Sequence, residues 1–222
     1  MNPRGAYPAD RAAALAGVPL STVRYWAKND VLEPSVSQRR VMLWSYPDLM
    51  GLRMIYWLRQ TKELGDGKTV PASSMPAVRR ALGQLRELDL ALWMGNGGFS
   101  VSVDRAGDIH VDAEGVQEVG NRQRLLDGDI VDLLRPFATP QQTRGPDLHQ
   151  PRPQLRIVPG KLGGEPHIRR TRLETQALAA LVRRGVEQDK IYRLYPIATQ
   201  EAIDQALDLE RQLGRNLSAA AG

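Results

Sequence analysis

The stretch that most constrains this chain is Gly17-Val18-Pro19-Leu20-Ser21-Thr22-Val23-Arg24-Tyr25-Trp26, taken with the alanine run before it. Arg11-Ala12-Ala13-Ala14-Leu15-Ala16 holds nothing β-branched, so it favours helix, and Asp10 can cap its start. Gly17 permits the positive φ that ends such a helix. Ser21 or Thr22 can cap a second helix, in which Val23, Trp26 and Ala27 fall on one face. Ser21, Thr22, Arg24, Tyr25 and Lys28 lie on its other faces, which gives that helix the chemistry of a groove reader.

Leu32-Glu33-Pro34, a polar segment from Ser35 to Arg40 and the apolar run Val41-Met42-Leu43-Trp44 follow. The simplest reading is a short hairpin with Arg39 and Arg40 at its turn, then a helix over 47–61. On Gly17-Val18, Thr22-Val23-Arg24-Tyr25-Trp26, Leu32-Glu33-Pro34 and the arginine pair before Tyr46, residues 7–60 resemble the winged helix-turn-helix of the MerR family. Regulators of that family usually carry a Gly-Leu turn where this chain has Asn29-Asp30-Val31. Asn and Asp tolerate the left-handed conformation that Gly would supply. The resemblance implies DNA binding, and the residues it favours are Ser21, Thr22, Arg24, Tyr25, Lys28, Arg39 and Arg40. Arg24 and Tyr25 can hold phosphates, Ser21, Thr22 and Lys28 can face the major groove, and the wing arginines can reach the neighbouring backbone or minor groove.

The chain has no cysteine, which excludes disulfides, thiolate metal sites and cysteine nucleophiles together. No apolar run approaches membrane-spanning length and the N-terminus lacks a basic-then-apolar leader, so the expectation is a soluble cytoplasmic protein. Charge is uneven: residues 1–62 carry a net +5, 63–150 a net −4 and 151–222 a net +4. Basic ends suit polyanions or acidic protein surfaces, and the acidic centre is a poor place for a phosphate backbone.

Beyond the wing, Leu49, Leu52, Ile55, Tyr56 and Leu58 follow a helical apolar pattern, with Met54 and Trp57 adding bulk and Trp57 read as core or interface. Ser74 and Pro76 start another helix, with Val78, Leu82, Leu85 and Leu88 on one face. Segments 90–94, 99–103 and 108–111, separated by glycine-rich turns, read as a small antiparallel meander, and 128–134 as a further helix. Five of the residues in 139–153 are Pro or Gly, and few are apolar, which reads as a semi-extended, mobile linker. The expected domains are therefore 1–62, 63–138 and 154–222, with the linker at 139–153. The fold class is mainly α with small β elements (α+β): a winged helix-turn-helix, a small middle α/β-meander domain and a C-terminal three-helix, helix-turn-helix-like unit.

In that last unit, a short strand at Ile157-Val158 precedes a loop and three helices. Thr175 can cap the first helix and Gly185 ends it; the second covers 188–195; Thr199 caps the third, with Ile203, Ala206, Leu207 and Leu209 inward. The ordered pattern Gly164-x-Pro166-x-Ile168-Arg169-x-Thr171-Arg172-Leu173, Gly185, Ile191-x-x-x-Tyr195-Pro196 and Thr199 carries a second resemblance. Residues 155–213 resemble the small C-terminal domain of a bacterial antitoxin family, long catalogued as a domain of unknown function, encoded beside PIN-domain ribonuclease toxins. Joined to a MerR-like reader, it resembles the longer VapB-type antitoxins. Arg170 departs from the family, which usually has Gly there, so a loop that needs a positive φ must have adjusted.

No catalytic constellation is evident. His110, His149 and His167 lie apart without metal-ligand spacing, Gly160-Lys161-Leu162-Gly163-Gly164 lacks the ending of a phosphate loop, and no nucleophile has a base. Neither a catalytic residue, a metal nor a cofactor is expected. The resemblance implies an antitoxin of a type II toxin-antitoxin pair, which binds and inhibits a PIN-domain ribonuclease toxin and autoregulates its operon at operator DNA as a homodimer. PIN-type nucleases cluster carboxylates, so Arg169, Arg170 and Arg172 are the first toxin-binding candidates, with Arg183, Arg184 and Arg215 behind them. Thr171 and Arg172 have a competing duty as internal hydrogen-bond donors that fix the loop. The alternative function is a MerR-like transcription regulator with a small-molecule effector in its middle domain.

Overall fold

A computed structural model describes residues 5–63, 69–87, 99–103, 109–113, 129–140 and 142–219. Among them the chain is mainly α, with short antiparallel strand pairs. Instead of four successive segments, it groups into two compact units: Met1–Leu49 with Arg135–Gly222, and Met50–Leu134. The division falls inside one helix.

The first unit opens with β1 (Tyr7–Pro8), α1 (Ala9–Ala16) and α2 (Leu20–Lys28). Gly17 closes α1 at φ 70°, and Asp30 turns the chain out of α2 at φ 53°, as the small polar residue there allows. The capping assignments need correction. Pro8 and Pro19 occupy the two N-cap positions without side-chain caps, so Asp10 sits in the first turn of α1, while Ser21 and Thr22 sit in that of α2. Proline's fixed φ, instead of a hydroxyl or carboxylate, sets the start of each helix. On α2, Val23 and Trp26 are buried as expected. β2 (Leu43–Trp44) pairs with β1, and a bridge between Ser37 and Leu43 closes the hairpin over loop residues 38–42. α3 (Tyr46–Leu58) begins one residue before, and ends three before, the expected span.

The same unit continues with β8 (Phe137–Ala138) paired to β9 (Arg144–Gly145), and β10 (Leu155–Arg156) paired to β11 (His167–Ile168). α5 (Thr175–Arg183), α6 (Gln188–Leu194) and α7 (Gln200–Ala219) complete it. α7, about 30 Å long at 1.5 Å per residue, is the spine: it packs on α5 and also on α1. Its Ile203, Ala206, Leu207, Leu209 and Leu213 are buried, along with Leu15, Leu155, Leu178 and Ile191 from the elements around it. Thr199 caps α7 through Ala202 N–H, 3.2 Å from the Thr199 hydroxyl. Thr175 does not cap α5. Glu174 holds the N-cap position, and the Thr175 hydroxyl donates to Glu210 instead.

The segment expected to be a mobile linker is packed. Thr143 and Leu148 are fully buried; Thr143 Oγ1 donates to the Gly17 carbonyl at 2.6 Å, and Tyr46 Oη donates to the Leu148 carbonyl at 2.9 Å. Asn216 of α7 accepts from Arg144 N–H at 2.8 Å and donates to the carbonyls of Ala14 and Arg144, both at 2.9 Å. Prolines reduce the number of backbone donors that such a segment must satisfy, so rigidity rather than mobility follows once its few apolar residues find a core.

The second unit holds most of α3, the pair β3 (Lys62–Glu63) with β4 (Thr69–Val70), and α4 (Met75–Glu87). A three-stranded antiparallel sheet follows: β5 (Phe99–Val103) lies between β6 (Ile109–Ala113) and β7 (Asp129–Asp132). The helix expected over 128–134 is thus corrected to a strand, since β-branched Ile130 and Val131 suit the pleat of a sheet. The expected strand 90–94 lies outside the described residues, as do Leu88 and Asp108. Leu52, Met54, Ile55, Leu58, Val78 and Leu82 form this core. Arg53, fully buried, donates to the Leu133 carbonyl at 2.9 Å, and the Lys62 ammonium stands 4.6 Å from the centroid of the Trp57 ring.

Candidate functional site

The outward surface of α2 carries Ser21, Arg24, Tyr25 and Lys28, all exposed, with Thr22 partly so. Tyr25 is 62% exposed, which removes it from the core. No Asp or Glu occurs between Leu20 and Lys28, so nothing on the helix itself would repel a phosphate. Arg39 and Arg40 stand exposed in the hairpin loop, Arg40 at φ 26°. The base of that hairpin is fixed by a residue that sequence reading passed over. Buried Asp48, in the first turn of α3, accepts from Ser35 N–H at 3.0 Å, Ser35 Oγ at 2.8 Å and Ser45 N–H at 2.7 Å. Three donors converging on one carboxylate oxygen make it a firm anchor.

A buried ion cluster joins α1 to α7. Arg11, only 7% exposed in an alanine helix, forms a two-toothed pair with Glu210 of α7, both contacts 2.9 Å, and reaches Glu165 at 2.7–2.9 Å. Burial opposes its charge, but the hydrogen bond to Glu210 and the field of Glu165 outweigh that, so the guanidinium is held above its ordinary range. Burial pushes the Glu165 carboxyl up; the charge and hydrogen bond of Arg11 pull the other way, and the charge of Glu210 adds to the rise. Tyr7 Oη donates to the Gly164 carbonyl at 2.7 Å, and burial raises that phenol well above its usual value. Helix α1 is therefore tied by charge, by hydrogen bond and by packing to elements more than 150 residues away. Sequence reading had no way to find Arg11, since its partners have no local spacing to it.

The six C-terminal arginines are all exposed, but they form no single patch. Arg169, Arg170 and Arg172 lie in the loop before α5, and Arg183 and Arg184 at its far end, about 12 Å away by helical rise; Arg215 stands on α7. Arg169 is partly engaged, its backbone N–H on the Gln154 carbonyl at 2.8 Å and its Nη2 3.3 Å from Gln154 Oε1. Thr171 performs the internal duty: its hydroxyl donates to the Ile168 carbonyl at 2.9 Å and accepts from Leu173 N–H at 3.0 Å, while Lys161 Nζ holds the Thr171 carbonyl at 2.9 Å. Among the described residues, Arg170 and Arg172 have no hydrogen-bond or ion-pair partner for their guanidinium groups. The loop has not adjusted to the absent glycine: Arg170 itself takes φ 62°. Nearby Arg156 is lowered by burial and by the charge of Arg169.

His167 is 1% exposed, with Nδ1 3.0 Å from the Glu165 carbonyl, and burial lowers its pKa. His149 lies in the packed segment 142–153 and His110 in β6. Among the described residues no helix is long and apolar enough to cross a membrane.

A family model described as a protein of unknown function (DUF433) matches residues 156–208, from β10 into the first half of α7. No curated protein and no solved structure matches the chain at a significant level.

Proposed function

We propose that this chain is a DNA-binding antitoxin, a MerR-like reader joined to a VapB-type C-terminal domain, that silences a PIN-domain ribonuclease and represses its own operon. The observation that carries the DNA half is the outward surface of α2, cationic, aromatic and free of acids, beside a hairpin whose loop presents Arg39 and Arg40. Helix α2 enters the major groove; Arg24 and Tyr25 take phosphates, Ser21, Thr22 and Lys28 face the groove, and Arg39 and Arg40 reach the neighbouring backbone or minor groove. Two protomers read paired half-sites. The antitoxin half rests on the family match over residues 156–208 together with the exposed guanidinium groups around α5, which suit the carboxylates of a metal-dependent nuclease.

The test is a titration of DNA upstream of the chain's own operon at several salt concentrations. With about five phosphates neutralised per protomer, the slope of log K against log salt is about −4.5 per protomer. Replacing Arg24, Lys28, Arg39 and Arg40 together by Ala flattens it. A wild-type slope near zero would dismiss the reader.

A further inference from the structure

Two turns in this chain are built alike although 168 positions separate them. Gly17 and Gly185 both take the left-handed conformation, at φ 70° and 80°. Each is followed by a valine whose N–H donates five residues back, Val18 to Ala13 and Val186 to Leu181, both at 3.1 Å. In each case the next helix starts three residues after the glycine, from an extended N-cap: Pro19 before α2 and Glu187 before α6. Six residues after the glycine comes a fully buried β-branched side chain, Val23 or Ile191, whose N–H donates at 3.1 Å to the N-cap carbonyl. The pair α5–α6 is thus a second helix-turn-helix corner with the turn geometry of α1–α2.

The outward sides differ. Nine residues after the glycine, α2 places Trp26, which is 8% exposed, whereas α6 places Leu194, which is 53% exposed. Ile197, three residues on, is 74% exposed. A position that is covered in the first corner is therefore open in the second, and an exposed apolar pair is the mark of a contact surface. A nucleic acid suits it poorly, because bare aliphatic side chains offer a phosphate backbone nothing to bond; the acids Glu187 and Asp189, where Pro19 and Ser21 stand in the first corner, are exposed at the start of α6, more than a turn from Leu194. Lys190 and Arg193, both exposed, flank the apolar pair. A two-fold contact with another copy would bring these cations toward their own counterparts, so the charge favours an acidic, unlike partner.

We infer that Leu194 and Ile197, flanked by Lys190 and Arg193, form the docking surface for the partner protein, and that they enter an apolar pocket rimmed by carboxylates. This rests on the antitoxin reading and moves the centre of the partner contact from the arginines of the loop before α5 to the end of α6. The apolar pair supplies the desolvated centre and the cations the rim.

The experiment co-expresses the full-length chain with the ribonuclease encoded beside it and measures capture, ribonuclease inhibition, affinity for the upstream DNA and oligomeric state. The double variant Leu194→Asp/Ile197→Asp is expected to lose capture at least about tenfold, with melting temperature, DNA affinity and oligomeric state as in the wild type. Arg193→Glu, which leaves the apolar pair intact, is expected to weaken capture and reduce its salt dependence. Wild-type capture by the double variant overturns the inference and leaves the antitoxin reading standing. Loss of DNA affinity instead of capture would assign the surface to nucleic acid, and conversion to a monomer would assign it to a second copy; either overturns the inference. If the wild-type chain captures no ribonuclease, both readings fall together.

Discussion

Arg170 shows how one residue can preserve a conformation that it does not favour. A side chain in the left-handed region costs about 1–2 kcal/mol, and the loop bears that cost at φ 62° instead of rearranging. Arg170→Gly should therefore raise stability in chemical denaturation, by about 1 kcal/mol or less after the added unfolded-state entropy of glycine, whereas Arg170→Ala should leave it near the wild-type value. Arg11 shows the opposite case, a charge made tolerable by two distant acids. Arg11→Met, or Glu210→Gln, leaves a buried charge unmatched and should cost about 3–5 kcal/mol. Glu165→Gln should cost less, because burial already raises the Glu165 carboxyl. His167 adds a pH dependence. Its folded pKa is lowered from the ordinary 6.5, so below that pH the unfolded chain takes up the proton more readily, and stability declines as pH falls. Because Glu165 responds in the opposite sense, the comparison belongs in the Glu165→Gln background: adding His167→Gln there should flatten the decline between about pH 6.5 and 5.

At the scale of elements, the glycines that end α1 and α5 were legible because only a left-handed residue stops a helix so abruptly, and both take that conformation. Their consequences differ. Gly185 faces open space, so Gly185→Ala should cost only the conformational term of about 1–2 kcal/mol. A Cβ on Gly17 would lie 2.1 Å from the backbone nitrogen of Gly145, which nothing flexible relieves, so Gly17→Ala should destabilise considerably more in the same denaturation series. The apolar stripes of α3 and α7 were legible for the same periodic reason. β7 was not, because Asp129-Ile130-Val131-Asp132-Leu133-Leu134 fits a helical stripe and a buried strand equally well, and periodicity alone does not separate them. The candidate DNA surface was legible as a set of exposed side chains on α2 and the hairpin. Its anchor Asp48 was not, since its ligands Ser35 and Ser45 look like ordinary loop serines.

For the whole molecule, the order of the chain misleads. The segment 139–153, rich in proline, reads as a boundary, yet Thr143 clasps Gly17, Asn216 bridges Arg144 to Ala14, and Arg11 joins Glu165 to Glu210. Contacts of this kind have no signature in local sequence, so the C-terminal unit looks separable when it is not. A fragment of residues 151–222 would expose Glu165, Glu210 and the buried face of α7, and it should melt at lower temperature than the full chain or fail to give a cooperative transition. Tests of partner binding therefore belong on the full-length protein. The most direct of them is a ribonuclease assay on the protein encoded beside this chain, the nuclease of the proposal, with and without a stoichiometric amount of the intact chain. Cleavage that stops at one chain per nuclease, and returns when Leu194 and Ile197 are both replaced by Asp, is the predicted result; cleavage that proceeds unchanged in the presence of the folded wild-type chain would contradict the antitoxin account.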